Sequence, residues 1–372
     1  MADITVLIKP ASGLCNMRCK YCFYCDVMNN RQTEQYGIMS EKTLATLVAR
    51  VFEYADADNK KGTISLCWQG GEPTLAGLDF FKKAMELIQS QNKLNHSVEN
   101  LLQTNGYNMN DAWAEFFHAE NFLIGLSIDG FREAHDINRV DTNGKGTYAR
   151  VLKAAEILRK HSVAINAVCV VNQSNARSPL KTYNSLRKAG FDFMQFIACI
   201  DDFSGVKKAS SLDPKTYGNF LSEMFNLYYT EIMNENFISI RDFDNLIMRA
   251  AGKRVELCSL TGVCGGYFTV EADGSVYPCD FYVVDEWKMG NIFDLDFISM
   301  KNSDIAKKFI DMSTKHTQKC RECKYYPLCR SGCRRLRDNS GVLGENCFCE
   351  SYKIFFENSV DKIFQLAKYV KK

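Results

Sequence analysis

Two stretches decide the fold of this chain: Cys15-Asn-Met-Arg-Cys19-Lys-Tyr-Cys22-Phe-Tyr24, and Gln69-Gly70-Gly71-Glu72-Pro73. Each follows an apolar run of strand length, Ile4 to Ile8 for the first and Ile64 to Trp68 for the second. Three thiols within eight residues hold three corners of a cube but leave a tetrahedral zinc site one ligand short. An iron–sulfur cluster on three protein thiolates keeps one iron open for a substrate or cofactor, and the interleaved Tyr21, Phe23 and Tyr24 suit a shielded cluster. The competing reading is a zinc completed by a distant His or Cys. In the second stretch, paired glycines let a ligand approach the backbone and Pro73 stiffens the turn. Alone it could be a plain tight turn; beside a three-thiol loop it reads as a rest for a cofactor.

Working outward, strand candidates Ile4 to Ile8, Ile64 to Trp68, Val98 to Gln103, Leu123 to Ile128, Val163 to Val171 and Phe193 to Ile197 alternate with segments of helical period. The helical segments are Glu41 to Tyr54, Asp79 to Gln91, Asp111 to Ala119, Tyr148 to Lys160 and Pro179 to Lys188. Repeated βα units make a parallel sheet, and six of them predict an α/β fold with a partial (β/α)6 TIM-like barrel whose functional loops follow the C-terminal strand ends. No Gly-x-Gly-x-x-Gly fingerprint and no Walker loop is present, so dinucleotide and nucleoside triphosphate sites are not indicated. Residues 201–257 read as a connection with helices Tyr217 to Asn234 and Phe243 to Ala251, without a flexible tether. Phe268 to Val270 and Ser275 to Tyr277 flank Ala272-Asp273-Gly274, a hairpin signal, with Cys279 at its exit. A helix from Tyr352 to Val370 is expected to cover the barrel or the cysteine-rich region. We therefore divide the chain into a barrel, 1–235, and a small cysteine-rich domain with a β-hairpin and helices, 236–372.

Composition limits the function. The 372 residues carry 46 Lys plus Arg against 44 Asp plus Glu, so no global field points to nucleic acid or an anionic membrane. No signal peptide or apolar span is apparent, which predicts a cytoplasmic protein. In that compartment a count of 16 cysteines points to metal ligands rather than a disulfide framework. Cys67, Cys169 and Cys199 lie in apolar runs, and Cys25 and Cys347 fit no spacing; we read these five as packing residues or bystanders. The remaining eight beyond the first loop are Cys258, Cys264, Cys279, Cys320, Cys323, Cys329, Cys333 and Cys349, enough for two closed four-ligand sites. Spacing leaves zinc and iron–sulfur open for this half. Eight Lys or Arg and one acid, Glu322, lie between Lys315 and Arg337, a patch suited to a cluster that stays anionic, or a solvated basic face.

The first motif with Gly70-Gly71-Glu72-Pro73 resembles the radical S-adenosylmethionine (SAM) superfamily. Cys264-x9-Gly274-x4-Cys279 with Cys320-x2-Cys323-x5-Cys329-x3-Cys333 and Cys349 resembles its SPASM extension. Gln69 to Gly77, Gln103-Thr-Asn-Gly106, Gly125-Leu-Ser-Ile-Asp-Gly130 and Ser275 to Tyr282 are similar to the anaerobic sulfatase-maturating enzymes. That resemblance implies three [4Fe-4S] clusters. One sits on Cys15, Cys19 and Cys22 and holds S-adenosylmethionine; one on Cys258, Cys264, Cys279 and Cys333; one on Cys320, Cys323, Cys329 and Cys349, with Cys347 an alternative to Cys349. It also implies that Gly70, Gly71, Glu72 and Pro73 contact the methionine amino group, that Gln69, Ser127 and Ile200 lie near the nucleoside, and that Asp280 is a general base. Tyr24 either borders the peptide channel or shields the cluster. The implied reaction is 5'-deoxyadenosyl radical abstraction of a hydrogen from Cβ of a sulfatase Cys or Ser, giving Cα-formylglycine. The implied partners are a sulfatase polypeptide and an external flavodoxin- or ferredoxin-type electron donor; we expect a monomer and an anaerobic source.

Two alternatives stand beside this. A SPASM maturase forming thioether or carbon–carbon crosslinks in ribosomal peptides would be expected to carry a leader-binding domain ahead of the barrel, for which the first strand at Ile4 leaves no room. A zinc-stabilised interaction protein would use the same cysteines structurally.

Overall fold

The computed structural model describes residues 3–338 and 344–371. The apolar runs become six parallel strands, β1 (Ile4–Ile8), β2 (Thr63–Trp68), β3 (Ser97–Thr104), β4 (Leu123–Ser127), β5 (Ala164–Val171) and β6 (Phe193–Ala198). They pair in chain order, with Ile8 opposite Trp68, Trp68 opposite Leu102 and Ser127 opposite Val168. Sequential parallel pairing sends every C-terminal end to one side, so the thiol loop after β1 and the glycine loop after β2 are neighbours. The α/β partial barrel expected from the sequence is the observed architecture.

The sheet is longer than the six expected strands. β7 (Ser239–Ile240) adds to β6 within the stretch read as a helical connection; two residues are too few to leave a periodic signal. At the other edge β8 (Phe268–Val270) and β9 (Ser275–Tyr277) form the expected hairpin. β8 pairs in parallel with β1, and β10 (Gly290–Asn291) closes the far edge. One ten-stranded sheet thus runs from β10 to β7. The cysteine-rich region is thereby hydrogen-bonded to the strand that launches the three-thiol loop.

Helices cover the outer face for reasons visible in the sequence. Ser40 caps Glu41–Asp56 by accepting from Thr43 N, and Asp213 caps Pro214–Met233 by accepting from Thr216 N, each contributing about 1 kcal/mol. Trp68, Phe81, Phe117 and Phe122 fill one core, under the helices that follow β1 to β3. The last helix, Cys349–Lys371, lies along Pro214–Met233 and Arg241–Ala250. Phe355, Phe356, Ile363 and Leu366 are buried there, at roughly 1.5–3 kcal/mol each. It starts three residues before the expected Tyr352, so Cys349 occupies its first turn. Among the described residues no helix is long and apolar enough to cross a membrane.

Candidate active site and cluster sites

The loop after β1 and the loop after β2 are joined by their backbones. Gly71 N donates to Ser12 O and Glu72 N to Leu14 O, both at 2.8 Å. A Cβ on Gly71 would lie 2.1 Å from Leu14 O, and Gly70 has φ +125°, so both positions exclude side chains. The Glu72 carboxylate is buried and ties this pair to the end of β3. It accepts from Thr74 N (3.1 Å), Thr74 Oγ1 (2.7 Å), Thr104 Oγ1 (2.8 Å) and Asn105 N (2.8 Å). Asn105 Nδ2 reaches the Cys15 sulfur at 3.6 Å and Asn16 Oδ1 at 2.8 Å. Pro73 opens the short turn that follows. Ser127 ends β4 and is buried; Ile200, two residues past β6, is half-buried at the same end of the barrel.

Cys15, Cys19 and Cys22 are each half-buried on this loop. Burial pushes Cys15 up to about 11 and Cys19 up to about 12, so these thiols need a cationic partner to stay ionised. Cys22 is drawn down to about 7, chiefly by a hydrogen bond with the Cys25 side chain. The opposite flank of the loop is held by a network that sequence reasoning left unassigned. Tyr21 donates from its hydroxyl to Asp129, and the Arg139 guanidinium lies 3.1 Å from both Asp129 oxygens. Val170 N also donates to Asp129 at 3.0 Å. The clue was in hand: Asp129 belongs to the Gly125-Leu-Ser-Ile-Asp-Gly130 stretch.

Asp280 is buried. It accepts from Tyr267 Oη at 2.9 Å and Gln69 Nε2 at 3.4 Å, which joins the β2 loop to the exit of the β8–β9 hairpin. Tyr24 is also buried, with Arg31 Nη1 3.3 Å from its hydroxyl and the Lys9 ammonium 4.0 Å from its ring centre. Phe23 is half-buried and meets Phe281 edge-on at 4.8 Å. Arg31 pairs with Glu271 at 2.8 Å, both side chains fully buried. Lys9, Arg31, Glu271 and Tyr267 were not picked out from the sequence; a lysine directly after an apolar strand was the available signal for the first.

The remaining thiols surround two cavities. Cys258, Cys264, Cys279 and Cys333 line one, together with Tyr267, Arg334 and Arg337. Cys320, Cys323, Cys329 and Cys349 line the other, beside Lys319 and Lys353. Cys347 lines neither, and the charges that act on it are those of Lys207, Asp201 and Arg335. Among the described residues no three His, Cys, Asp or Glu side chains converge on a single-ion position. Four thiols spaced around each cavity, rather than converging on one ion, are the arrangement that suits a cube of iron and sulfur. Burial pushes Cys258 up to about 11 and Cys329 and Cys333 up to about 12, again favouring a cationic guest. The expected basic face divides: Arg334, Arg335 and Arg337 are buried, with Arg334 and Arg337 donating to the carbonyls of Phe309, Lys315 and Ser313. Lys315, Lys319, Arg321 and Lys324 are exposed.

Residues 10–186 match the radical SAM superfamily and residues 258–324 the SPASM iron–sulfur cluster-binding domain. A fold and thiol arrangement of this kind define a radical SAM enzyme with a SPASM extension. Over its full length the chain is 42% identical to the cysteine-type anaerobic sulfatase-maturating enzyme of Clostridium novyi, covering 99% of this chain and 98% of that one. It is 31% identical to the serine-type enzyme of Bacteroides thetaiotaomicron, over 95% of this chain and 88% of that one. The solved structure of native anSMEcpe with bound AdoMet and Cp18Cys peptide superimposes with a TM-score of 0.92 at 41% identity, covering 99% of this chain and all of that one. The chain belongs to the anaerobic sulfatase-maturating enzymes. Iron–sulfur clusters and S-adenosylmethionine are the cofactors of such an enzyme.

Proposed function

We infer that this chain oxidises a cysteine of a sulfatase polypeptide to Cα-formylglycine, with three [4Fe-4S] clusters and S-adenosylmethionine. Cys15, Cys19 and Cys22 would hold the first cluster with its open iron, Cys258, Cys264, Cys279 and Cys333 the second, and Cys320, Cys323, Cys329 and Cys349 the third. When bound, reduced cluster and S-adenosylmethionine supply a 5'-deoxyadenosyl radical, which removes hydrogen from a carbon that side-chain acid–base chemistry cannot deprotonate.

The observation that carries the reading is the place of Asp280. It follows Cys279 of one thiol cavity and is hydrogen-bonded by Gln69, whose loop is fastened to the three-thiol loop. A carboxylate in that position can take the target's thiol proton while an electron leaves toward the adjacent cavity. Gln69 and Tyr267 orient it, and the Gly70–Glu72 backbone presents the cofactor ledge. The cysteine target, rather than serine, is favoured by the 42% identity to a cysteine-type enzyme against 31% for a serine-type one. The electron donor is proposed to be an external flavodoxin- or ferredoxin-type protein, and the enzyme to act in the cytoplasm. The test is to incubate reduced enzyme and S-adenosylmethionine anaerobically with a short sulfatase-type peptide. An aldehyde at the cysteine, read by mass spectrometry, is expected; intact peptide beside released 5'-deoxyadenosine would favour crosslinking chemistry instead.

A further inference from the structure

Lys9 is the first residue past β1, at the barrel end that carries the thiol and glycine loops. Its side chain is buried, only 1% exposed, and an ammonium removed from water is costly unless something compensates. The Tyr24 ring supplies one partner, 4.0 Å below Nζ. Burial draws the Lys9 pKa down, and the charges of Asp280 and then Glu271 draw it back up. Both are already engaged: Glu271 by Arg31 at 2.8 Å, Asp280 by Tyr267 and Gln69. Among the described residues no hydrogen bond or ion pair reaches Nζ. A purely structural counter-ion would close onto one of these oxygens, and the Lys9 ammonium, with three donors to offer, does not. The stem passes the glycine loop, since an ideal Cβ on Gly70 would lie 3.3 Å from Lys9 Cβ and Cγ.

We propose that Lys9 is a further catalytic residue, its ammonium facing the sulfur of the target cysteine and stabilising the negative charge that develops there. This rests on the reading of Asp280 as base. In the balanced step, the target Cβ–H bond breaks and its hydrogen atom passes to the 5'-deoxyadenosyl radical. The S–H proton goes to the Asp280 carboxylate, one electron leaves to an iron–sulfur acceptor, and a C=S double bond forms. Water then replaces sulfur, releasing sulfide and the aldehyde. Between proton loss and electron loss the C–S unit carries an extra negative charge, and a fixed cation in a buried site acts most strongly there.

The test uses reconstituted holoenzyme and a cysteinyl peptide deuterated at Cβ, measuring deuterium in 5'-deoxyadenosine and aldehyde in the peptide. In Lys9→Met, deuterium transfer persists while the ratio of aldehyde to transferred deuterium falls about a hundredfold, the usual effect of removing one donor aimed at a developing anion. Lys9→Arg, which keeps the charge, recovers at least tenfold of that loss. A wild-type ratio in Lys9→Met, loss of deuterium transfer itself, or equal losses in the Met and Arg variants each overturns the proposal. Iron content is measured throughout, and Lys9→Gln replaces the Met variant if that variant loses iron. Asp280→Asn run in parallel separates the two assignments. A normal ratio there counts against the base, whereas a low ratio there beside a normal one in Lys9→Met counts against Lys9 alone.

Discussion

Replacing Glu72 by Gln tests how the glycine loop is held. The carboxylate takes three hydrogen bonds on Oε1 and one on Oε2, with no contribution from solvent because the side chain is buried. An amide can accept on one side only. If its oxygen keeps the Thr74 and Thr104 contacts, its NH2 is turned toward Asn105 N–H, and two buried donors face each other. Each unsatisfied buried donor costs about 1–3 kcal/mol, and the three remaining bonds lose their charge assistance. Against this, Glu72 is a buried carboxylate whose pKa burial raises, so neutralising it recovers some desolvation. The balance is a loss of roughly 2–4 kcal/mol in unfolding free energy, read as the urea midpoint of the anaerobic protein. Because Gly71 and Glu72 donate to Ser12 and Leu14, a relaxed loop also displaces the backbone proposed to hold the cofactor. Formation of 5'-deoxyadenosine should fall on the order of a hundredfold, as a misplacement of about 1 Å in a reacting site does. A midpoint change equivalent to less than about 0.5 kcal/mol, below the net worth of one ordinary hydrogen bond, together with normal 5'-deoxyadenosine formation, would refute the reasoning.

Other outcomes follow from single residues. Cys349→Ser should lose about four of about twelve irons, whereas Cys347→Ser keeps them, because Cys349 and not Cys347 lines the cavity with Cys320, Cys323 and Cys329; iron analysis of the two purified variants decides it. His135 is buried against Asp129 and Thr147, and burial drives its pKa down to about 3. Its folded pKa lies below the unfolded value, so the unfolded chain binds the extra proton and stability falls as pH drops below about 6.5, by about 1.4 kcal/mol per unit. His135→Gln should flatten that dependence between roughly pH 6.5 and 5.5, and an unchanged slope would show that the imidazole is not responsible.

Much of this protein was legible because its chemistry is local in sequence. The three thiols of Cys15 to Cys22 fall in eight residues, and the apolar runs that become β1 to β6 are long enough to declare themselves. Two-residue strands such as β7 and β10 leave no such trace and exist only because a neighbour supplies hydrogen bonds. The same limit applies to the last thiol of the cavity lined by Cys320, Cys323 and Cys329. Cys347 lies two residues from Cys349 and could replace it by position, and they part only when the helix Cys349–Lys371 docks on Pro214–Met233 and sets Cys349 on the cavity lining.

The sequence by itself determined the alternation of strand and helix and the cysteine count and spacing, because those depend on short-range periodicity, while the kind of cofactor came from the resemblance its motifs carry. Only the tertiary structure decided that β8 would pair with β1. That pairing carries Asp280 to Gln69 across 211 residues of chain and sets Glu271 against Arg31. It also decided which charges lie buried together, Lys9 and Arg31 beside Glu271 and Asp280. Burial and proximity between distant segments are properties of packing, and no local spacing encodes them.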